Sequence, residues 1–105
     1  TKYKKEKRIG STVFWHYLDG TYSQLHKDTI EPNYYHVRCN VMLKKPMFGG
    51  DAIIDNTVYK LNKHDAWIVI ASEELHGSSP ISGGDRIIYS TGAILDDKEI
   101  KKLLW

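Results

Sequence analysis

The feature that most constrains the fold of this chain is a succession of short β-like runs separated by Gly, Pro, Asn and Asp. Closely spaced runs with turn residues between them are typical of a β-sandwich or barrel. The predicted strands are Val13–Leu18, Tyr22–His26, Tyr34–Leu43, Asp51–Asp55, Thr57–Leu61, Ala66–Ser72, Leu75–Gly77 and Arg86–Leu95. Eight short strands in about 85 residues predict an all-β, double-stranded β-helix, the jelly roll of cupin-like proteins.

The predicted central strands and the one predicted helix follow from the apolar pattern. Trp67–Ala71 and Ile87–Ile88 are apolar on both faces, as expected for central strands of a covered sheet. Asp96–Trp105 is helical in character, because Asp96 or Asp97 can cap it and an apolar stripe follows at Ile100, Leu103 and Leu104.

The predicted strand Tyr34–Leu43 has two faces of different character. One face carries Tyr35, Val37, Cys39, Val41 and Leu43, and the other carries Tyr34, His36, Arg38, Asn40 and Met42. In an ordinary half-exposed strand the polar face would lie in solvent. In a jelly-roll enzyme the polar face would instead line the reaction cavity. The sequence does not decide between these alternatives.

Length and charge predict a single domain with a short basic extension. The 105 residues divide into a basic N-terminal stub, 1–11, and a domain, 12–105. The net charge is +2, but the first eight residues hold five basic side chains and one acidic, so the rest is slightly acidic. A solvated terminus explains the stub better than nucleic-acid binding, which stays an open alternative.

Composition also indicates the compartment. No apolar run approaches the roughly 20 residues needed to cross a bilayer, so no membrane association is expected. Cys39 is the only cysteine, which excludes an internal disulfide and favours a reducing compartment. A cytoplasmic location is therefore expected.

The most informative motif is His26-Lys27-Asp28, followed at a distance by His76. In an extended chain, residues i and i+2 point to the same side, so His26 and Asp28 can reach one ion together. A histidine from a distant strand would complete three ligands on one face of an octahedron. Two imidazoles and one carboxylate with open opposite positions are the ligands of non-haem Fe(II) oxygenases. The motif therefore predicts an Fe(II) site.

Arg86, ten residues beyond His76, is the predicted anchor for an anionic cosubstrate. A guanidinium can hold a carboxylate through two parallel hydrogen bonds, as the far carboxylate of 2-oxoglutarate would require. The intervening residues, which include Gly83 and Gly84, predict a strand end, a turn and the next strand. Ligand and anchor would then share one cavity.

The run from Tyr17 to Leu95 resembles the C-terminal catalytic core of 2-oxoglutarate oxygenases of the prolyl-hydroxylase type. The matching features, in chain order, are Tyr17, Gly20, His26-x-Asp28, Met42-Leu43, Gly49-Gly50, Trp67–Ala71, His76 and Arg86. The resemblance implies an Fe(II)- and 2-oxoglutarate-dependent dioxygenase that uses O₂ to hydroxylate a protein or peptidyl-prolyl substrate and releases succinate and CO₂. Alternatives are a nucleic-acid or small-molecule oxygenase of the same family and a non-catalytic, cupin-like metal-binding module.

The resemblance also implies roles for further residues around the cosubstrate. It places Tyr17, Asn40 and Met42 in the 2-oxoglutarate pocket, with Arg38 on the same strand face and Ser90 on the face of Arg86. The sequence departs from the family at Met42, where a tyrosine is common, and in lacking the helical region that precedes the core.

Several residues have plainer interpretations. Arg86 could pair with Asp85 or Glu73 at the surface, and the three predicted ligands could hold a structural zinc ion. We interpret His16, His36 and His64 as surface or packing residues and Trp67 as a core residue. The face with Tyr35, Val37, Val41 and Leu43 is expected to need a cover, by self-association or by a longer parent chain.

Overall fold

The computed structural model describes residues 9–104, which form nine strands and one helix. Three antiparallel sheets result, of four, two and three strands. The strands are β1 (Ile9–Tyr17), β2 (Tyr34–Lys44), β3 (Phe48–Gly49), β4 (Ala52–Ile54), β5 (Thr57–Tyr59), β6 (Ala66–Ile70), β7 (His76–Ser78), β8 (Ile81–Ser82) and β9 (Arg86–Asp96), and the helix is α1 (Asp97–Leu104).

The largest sheet has the strand order β1-β9-β2-β6. Its two central strands, β2 and β9, have eleven residues each and pair along nearly their whole length, from Tyr34 opposite Asp96 to Lys44 opposite Ile87. Strands distant in sequence are therefore neighbours in space. This arrangement confirms the predicted all-β jelly roll with a short C-terminal helix.

The polar face of β2 points into the molecule. His36, Arg38 and Asn40 line an internal cavity, together with inward residues of the neighbouring strands. This settles the alternative that the sequence left open: the strand's polar residues face a cavity rather than solvent.

A second layer covers this cavity. It consists of the sheet β5-β4-β7, extended by a single bridge between His26 and His76. The predicted strand Tyr22–His26 is not formed, because only His26 makes a ladder contact. Ser23 is held through the side chain of Ser78, whose Oγ accepts its N–H at 2.9 Å. The two-residue strands β3 and β8 were not predicted.

The C-terminal helix begins at a reciprocal cap. The N–H of Glu99 donates to Asp96 Oδ1 at 2.9 Å, and the N–H of Asp96 donates to Glu99 Oε1 at 3.1 Å. This pair is a capping box, which satisfies two backbone donors at the helix start. Of the predicted apolar stripe only Ile100 is buried, while Leu103 and Leu104 stay about half exposed. Trp105 lies outside the described residues.

The outer face of the large sheet is only partly covered. Val37 is buried, but Phe14 and Ile68 on the same face are exposed, and α1 packs against β9 and β2. The expected need for a cover therefore stays a prediction. Strand β1 starts at Ile9, inside the segment treated as a basic stub, and residues 1–8 lie outside the described range. No described helix is long and apolar enough to cross a membrane.

Gly49, at the end of β3, is the most tightly enclosed of the described glycines. It has φ +69°, and a Cβ there would lie 1.7 Å from the carbonyl oxygen of Pro80. Gly49→Ala should lower the free energy of unfolding by about 2–5 kcal/mol, since left-handed strain costs about 1–2 kcal/mol and overpacking about 1–3 kcal/mol. Gly20→Ala is the matched control, because Gly20 has φ +86° but no atom within 4 Å of the added Cβ.

Urea unfolding of both variants measures the difference. The control should lose only the strain, about 1–2 kcal/mol. Equal losses in the two variants would mean that the loop around Gly49 moves freely away from Pro80.

Candidate metal centre and cavity

The three predicted ligands come together at one end of the cavity. One ligand atom from each of His26, Asp28 and His76 lies within 4.8 Å of the other two. The two histidines are brought together by the backbone: the N–H of His26 donates to the carbonyl of His76 at 2.9 Å, and the reverse bond is 3.0 Å long. Their ring centroids are 4.4 Å apart.

Each imidazole is oriented by a backbone carbonyl two residues earlier in the chain. Nδ1 of His26 bonds the carbonyl oxygen of Gln24 at 2.7 Å, and Nδ1 of His76 bonds that of Glu74 at 2.8 Å. Because a carbonyl oxygen can only accept, each Nδ1 must carry the proton. In the neutral ring this tautomer leaves Nε2 with a free lone pair, which is the state a metal-binding imidazole needs.

A glycine permits the close approach that builds this centre. A Cβ on Gly77, next to His76, would lie 2.6 Å from the carbonyl oxygen of Ser23. The segment that leads to His26 could not lie so near β7 with a larger residue at this position.

Asp28 is fixed by contacts on both sides. Its backbone N–H donates to the carbonyl of Ala71 at 2.8 Å. Its Oδ1 lies 3.3 Å from Nε2 of His26, and its Oδ2 lies 3.3 Å from Nδ1 of His36. The carboxylate of Asp28 and the imidazoles of His26 and His76 are a ligand set that fits a divalent transition metal.

His36 was wrongly interpreted as an ordinary surface or packing residue. It is partly buried, lines the cavity and contacts the carboxylate of Asp28. Burial lowers the pKa of its imidazole, which favours the neutral ring, while the negative charge of Asp28 acts in the opposite direction. The alternation of His36 with Arg38 on one strand face was the available sequence signal.

The cavity has a volume of about 460 Å³, within the usual range for small-molecule sites. Its two ends differ in exposure. At the metal end the side chains of His26 and Asp28 are 49% and 34% exposed. At the other end Arg86 and Ile88 are buried. A ligand would enter past the histidines and extend toward Arg86.

Arg86 sits at the closed end of the cavity. It is 4% exposed, its Nε donates to the carbonyl of Gly50 at 2.8 Å, and its guanidinium lies over the ring of Tyr17, 5.2 Å from the centroid. Burial lowers its pKa, an effect opposed by Tyr17 and Asp51. An arginine is nevertheless not deprotonated in proteins, so Arg86 places a positive charge in a desolvated site.

The plainer interpretation of Arg86 as a surface ion-pair partner is not what the structure shows. The carboxylate of Asp85 instead contacts Nε2 of His16 at 2.8 Å and accepts the N–H of Asp19 at 2.9 Å. In the described ion pairs Arg86 has no part.

The other predicted cosubstrate residues divide into two groups. Tyr17, Arg38, Asn40 and Ser90 line the cavity. Met42 does not: it is completely buried and belongs to the core. Trp67, interpreted as a core residue, is partly buried and lines the cavity.

The contacts of Asp85 stabilise the loops beside Tyr17 and Arg86. The hydrogen bond from His16 and the bond from the Asp19 backbone hold the pKa of Asp85 below its usual value. A depressed pKa means that the ionised carboxylate stabilises the folded state above the unfolded pKa of about 3.9. That contribution is lost as the pH falls through the lower folded value.

Asp85→Asn should therefore lower the melting temperature at pH 7, and the difference from the wild type should shrink as the pH falls below the unfolded pKa of about 3.9. Thermal unfolding followed by circular dichroism at several pH values measures it. A pH-independent difference would show that the charge of Asp85 has no part in stability.

The fold is shared with known jelly-roll proteins. KdgF from Halomonas sp. aligns with a TM-score of 0.60 at 13% identity, over 88% of this chain and 74% of that one. An RmlC-like cupin protein from Desulfovibrio desulfuricans aligns with a TM-score of 0.54 at 15% identity, over 81% of this chain and 73% of that one.

A viral protein of the same fold was solved with a bound cosubstrate. The collagen prolyl hydroxylase vCPH from Paramecium Bursaria Chlorella virus-1, in its 2OG complex, aligns with a TM-score of 0.58 at 24% identity, over 89% of this chain. The present chain spans 64% of the length of that protein. No protein-family model and no curated protein matches the sequence. These similarities show a fold of the cupin and 2-oxoglutarate-oxygenase type.

Proposed function

We propose that this chain is an Fe(II)- and 2-oxoglutarate-dependent dioxygenase that hydroxylates its substrate. The observation that carries the proposal is the arrangement of one cavity: His26, Asp28 and His76 meet at its open end, and Arg86 lies buried at its closed end. The viral prolyl hydroxylase of similar fold, solved with 2OG, supports it. The jelly roll alone does not, since the same fold serves many functions.

In this proposal each part of the cavity has a task. His26, Asp28 and His76 would hold Fe(II) through their imidazole nitrogens and carboxylate. Arg86, with Tyr17 beside it, binds the distal carboxylate of 2-oxoglutarate through charge-assisted hydrogen bonds. Bound Fe(II) and 2-oxoglutarate would supply the oxidising chemistry, in which O₂ and 2-oxoglutarate yield succinate, CO₂ and a hydroxylated product. The buried walls around Ile88 and Ser90 exclude water from the cosubstrate.

The proposed substrate is a protein or peptidyl-prolyl residue, and the proposed location is the cytoplasm. An oxygenase acting on nucleic acid or a small molecule is the alternative within the same family. A non-catalytic metal-binding module is the alternative outside it, favoured by the cupin neighbours of similar fold.

Succinate formation tests the proposal directly. The purified chain is incubated with Fe(II), 2-oxoglutarate, ascorbate and a panel of prolyl peptides, and succinate is measured with and without peptide. The expected result is peptide-stimulated succinate that disappears when a chelator is added. Metal binding with no succinate under any condition would favour the non-catalytic module.

A further inference from the structure

A second buried arginine lies in the same cavity and has no assigned partner. Arg38 is 9% exposed and lines the cavity. Its Nε donates to Ser90 Oγ at 3.0 Å, and its Nη1 lies 3.4 Å from both Ser11 Oγ and His36 Nε2. Its Nη2 is buried without a hydrogen-bond partner.

A buried guanidinium without a carboxylate partner is unusual. Buried charges are normally paired, because the cost of removing them from water is several kcal/mol. None of the described ion pairs includes Arg38. The charge and the free Nη2 are therefore available to an anionic ligand.

Arg38 and Arg86 lie at different positions along the sheet. Arg38 pairs with Gly92 across the sheet and bonds Ser90, whereas Arg86 begins the same strand four residues before Ser90. Four residues of extended chain span about 13 Å. Arg38 also lies near the metal ligands, since His36 bridges between it and Asp28.

The net charge of the cavity also favours a second anion besides 2-oxoglutarate. The charged side chains are Arg38, Arg86 and Asp28, which give one net positive charge with neutral histidines. Nearby Asp51 is paired with Lys45 and Lys60, at 3.6 and 3.8 Å. A divalent ion would raise the net charge to three, and the two carboxylates of 2-oxoglutarate would bring it back to one. One anionic group on the substrate would balance it.

We propose that Arg38 forms a carboxylate-binding subsite at the metal end of the cavity, and that the substrate carries a carboxylate near the reacting position. The inference rests on the proposed function for its place in a reaction, but the subsite itself is a binding property. The carboxylate of the substrate could belong to a free acid or to an acidic side chain next to the reacting residue. Both present the same group to the guanidinium of Arg38.

The test is a binding measurement that needs no turnover. Mn(II) replaces Fe(II) in the absence of O₂, and binding is followed by isothermal titration calorimetry and by the fluorescence of Trp15 and Trp67, which line the cavity. One probe pair is N-acetyl-L-proline and its neutral amide. The other pair is a capped Pro-Glu dipeptide and its Pro-Gln counterpart, so that the two pairs distinguish a free acid from an acidic side chain.

Two variants remove the subsite in different ways. Arg38→Gln deletes the charge. Gly92→Ala keeps it but moves it, because the added Cβ would lie 2.5 Å from Nη1 of Arg38. Lys63→Gln, at an exposed loop position, is the control for the loss of one positive charge. If Arg38→Gln does not fold, Gly92→Ala still tests the subsite.

The wild type and the control should prefer the carboxylate member of at least one probe pair by about 10-fold or more, and both cavity variants should lose that preference. Affinity for 2-oxoglutarate should change less than about 3-fold. Equal binding of acid and amide by the wild type would overturn the proposal, as would a loss of 2-oxoglutarate affinity in Arg38→Gln as large as that in Arg86→Ala. If the wild type bound no 2-oxoglutarate but kept an Arg38-dependent preference for carboxylate, the dioxygenase proposal would fail and the subsite would stand.

Discussion

His76→Ala should lower the affinity for Fe(II) or Mn(II) by more than about 100-fold and abolish succinate formation. Loss of a residue that only hydrogen-bonds a metal ligand typically costs 10- to 100-fold in metal affinity, and removal of a ligand itself should cost more. The fold should persist, because the backbone bonds between His76 and His26 do not use the side chain. Anaerobic calorimetry and a succinate assay on the same preparation measure both effects.

The matched control is His64→Asn. His64 is exposed and has φ +75°, a conformation that asparagine tolerates well. This variant loses one imidazole without touching the cavity, so its metal affinity should equal that of the wild type. If His76→Ala bound metal as tightly as this control, the His26, Asp28 and His76 cluster would not be the metal site.

The sequence predicted that His26, Asp28 and His76 lie together more reliably than it predicted the local structure around them. His26 and Asp28 were paired on the assumption of an extended chain after the predicted strand Tyr22–His26, yet the segment forms only one bridge, from His26 to His76. What brings the ligands together is tertiary: the two-way backbone bonds of His26 with His76, and the bond from Asp28 to Ala71. His26 and Asp28 can lie on the same side without a regular strand, because the backbone of each is held by its own hydrogen bonds.

His36 shows what the sequence could not supply. Its contact with Asp28 depends on a chain of backbone bonds, in which Asp28 donates to Ala71 and Ala71 donates to His36. Ala71 is far from both Asp28 and His36 in sequence, so no spacing rule connects the three residues. The strands β3 and β8 were missed for a related reason, since two residues are too few for a periodic pattern.

The polar face of β2 illustrates the opposite case. Both interpretations of Tyr34–Leu43 fitted the alternation, and only the second sheet determines that the polar face is enclosed. Met42 lies on that same face but fills the core beyond the cavity. Alternation predicts which residues share a face, whereas the depth of each residue depends on what packs over it.

Arg86→Ala should weaken 2-oxoglutarate binding by about 2–5 kcal/mol, because a desolvated carboxylate would lose its charged partner. Metal affinity should be nearly unchanged, since Arg86 lies at the opposite end of the cavity from the three ligands. Calorimetric titration of 2-oxoglutarate into the Mn(II)-loaded protein measures the loss. Arg86→Lys keeps the charge but not the planar pair of donors, and should recover only part of the affinity.

Arg86 also has a structural contact that the experiment must separate from cosubstrate binding. Its Nε donates to the carbonyl of Gly50. Replacing Arg86 by Ala could therefore loosen this turn as well as remove the charge that binds the cosubstrate. Thermal unfolding of the cosubstrate-free variants reports the first effect, and titration of stable protein reports the second. If a folded Arg86→Ala variant bound 2-oxoglutarate as tightly as the wild type, the role of Arg86 would be limited to its hydrogen bond with Gly50. The proposed cosubstrate would then have no charged anchor at the closed end of the cavity.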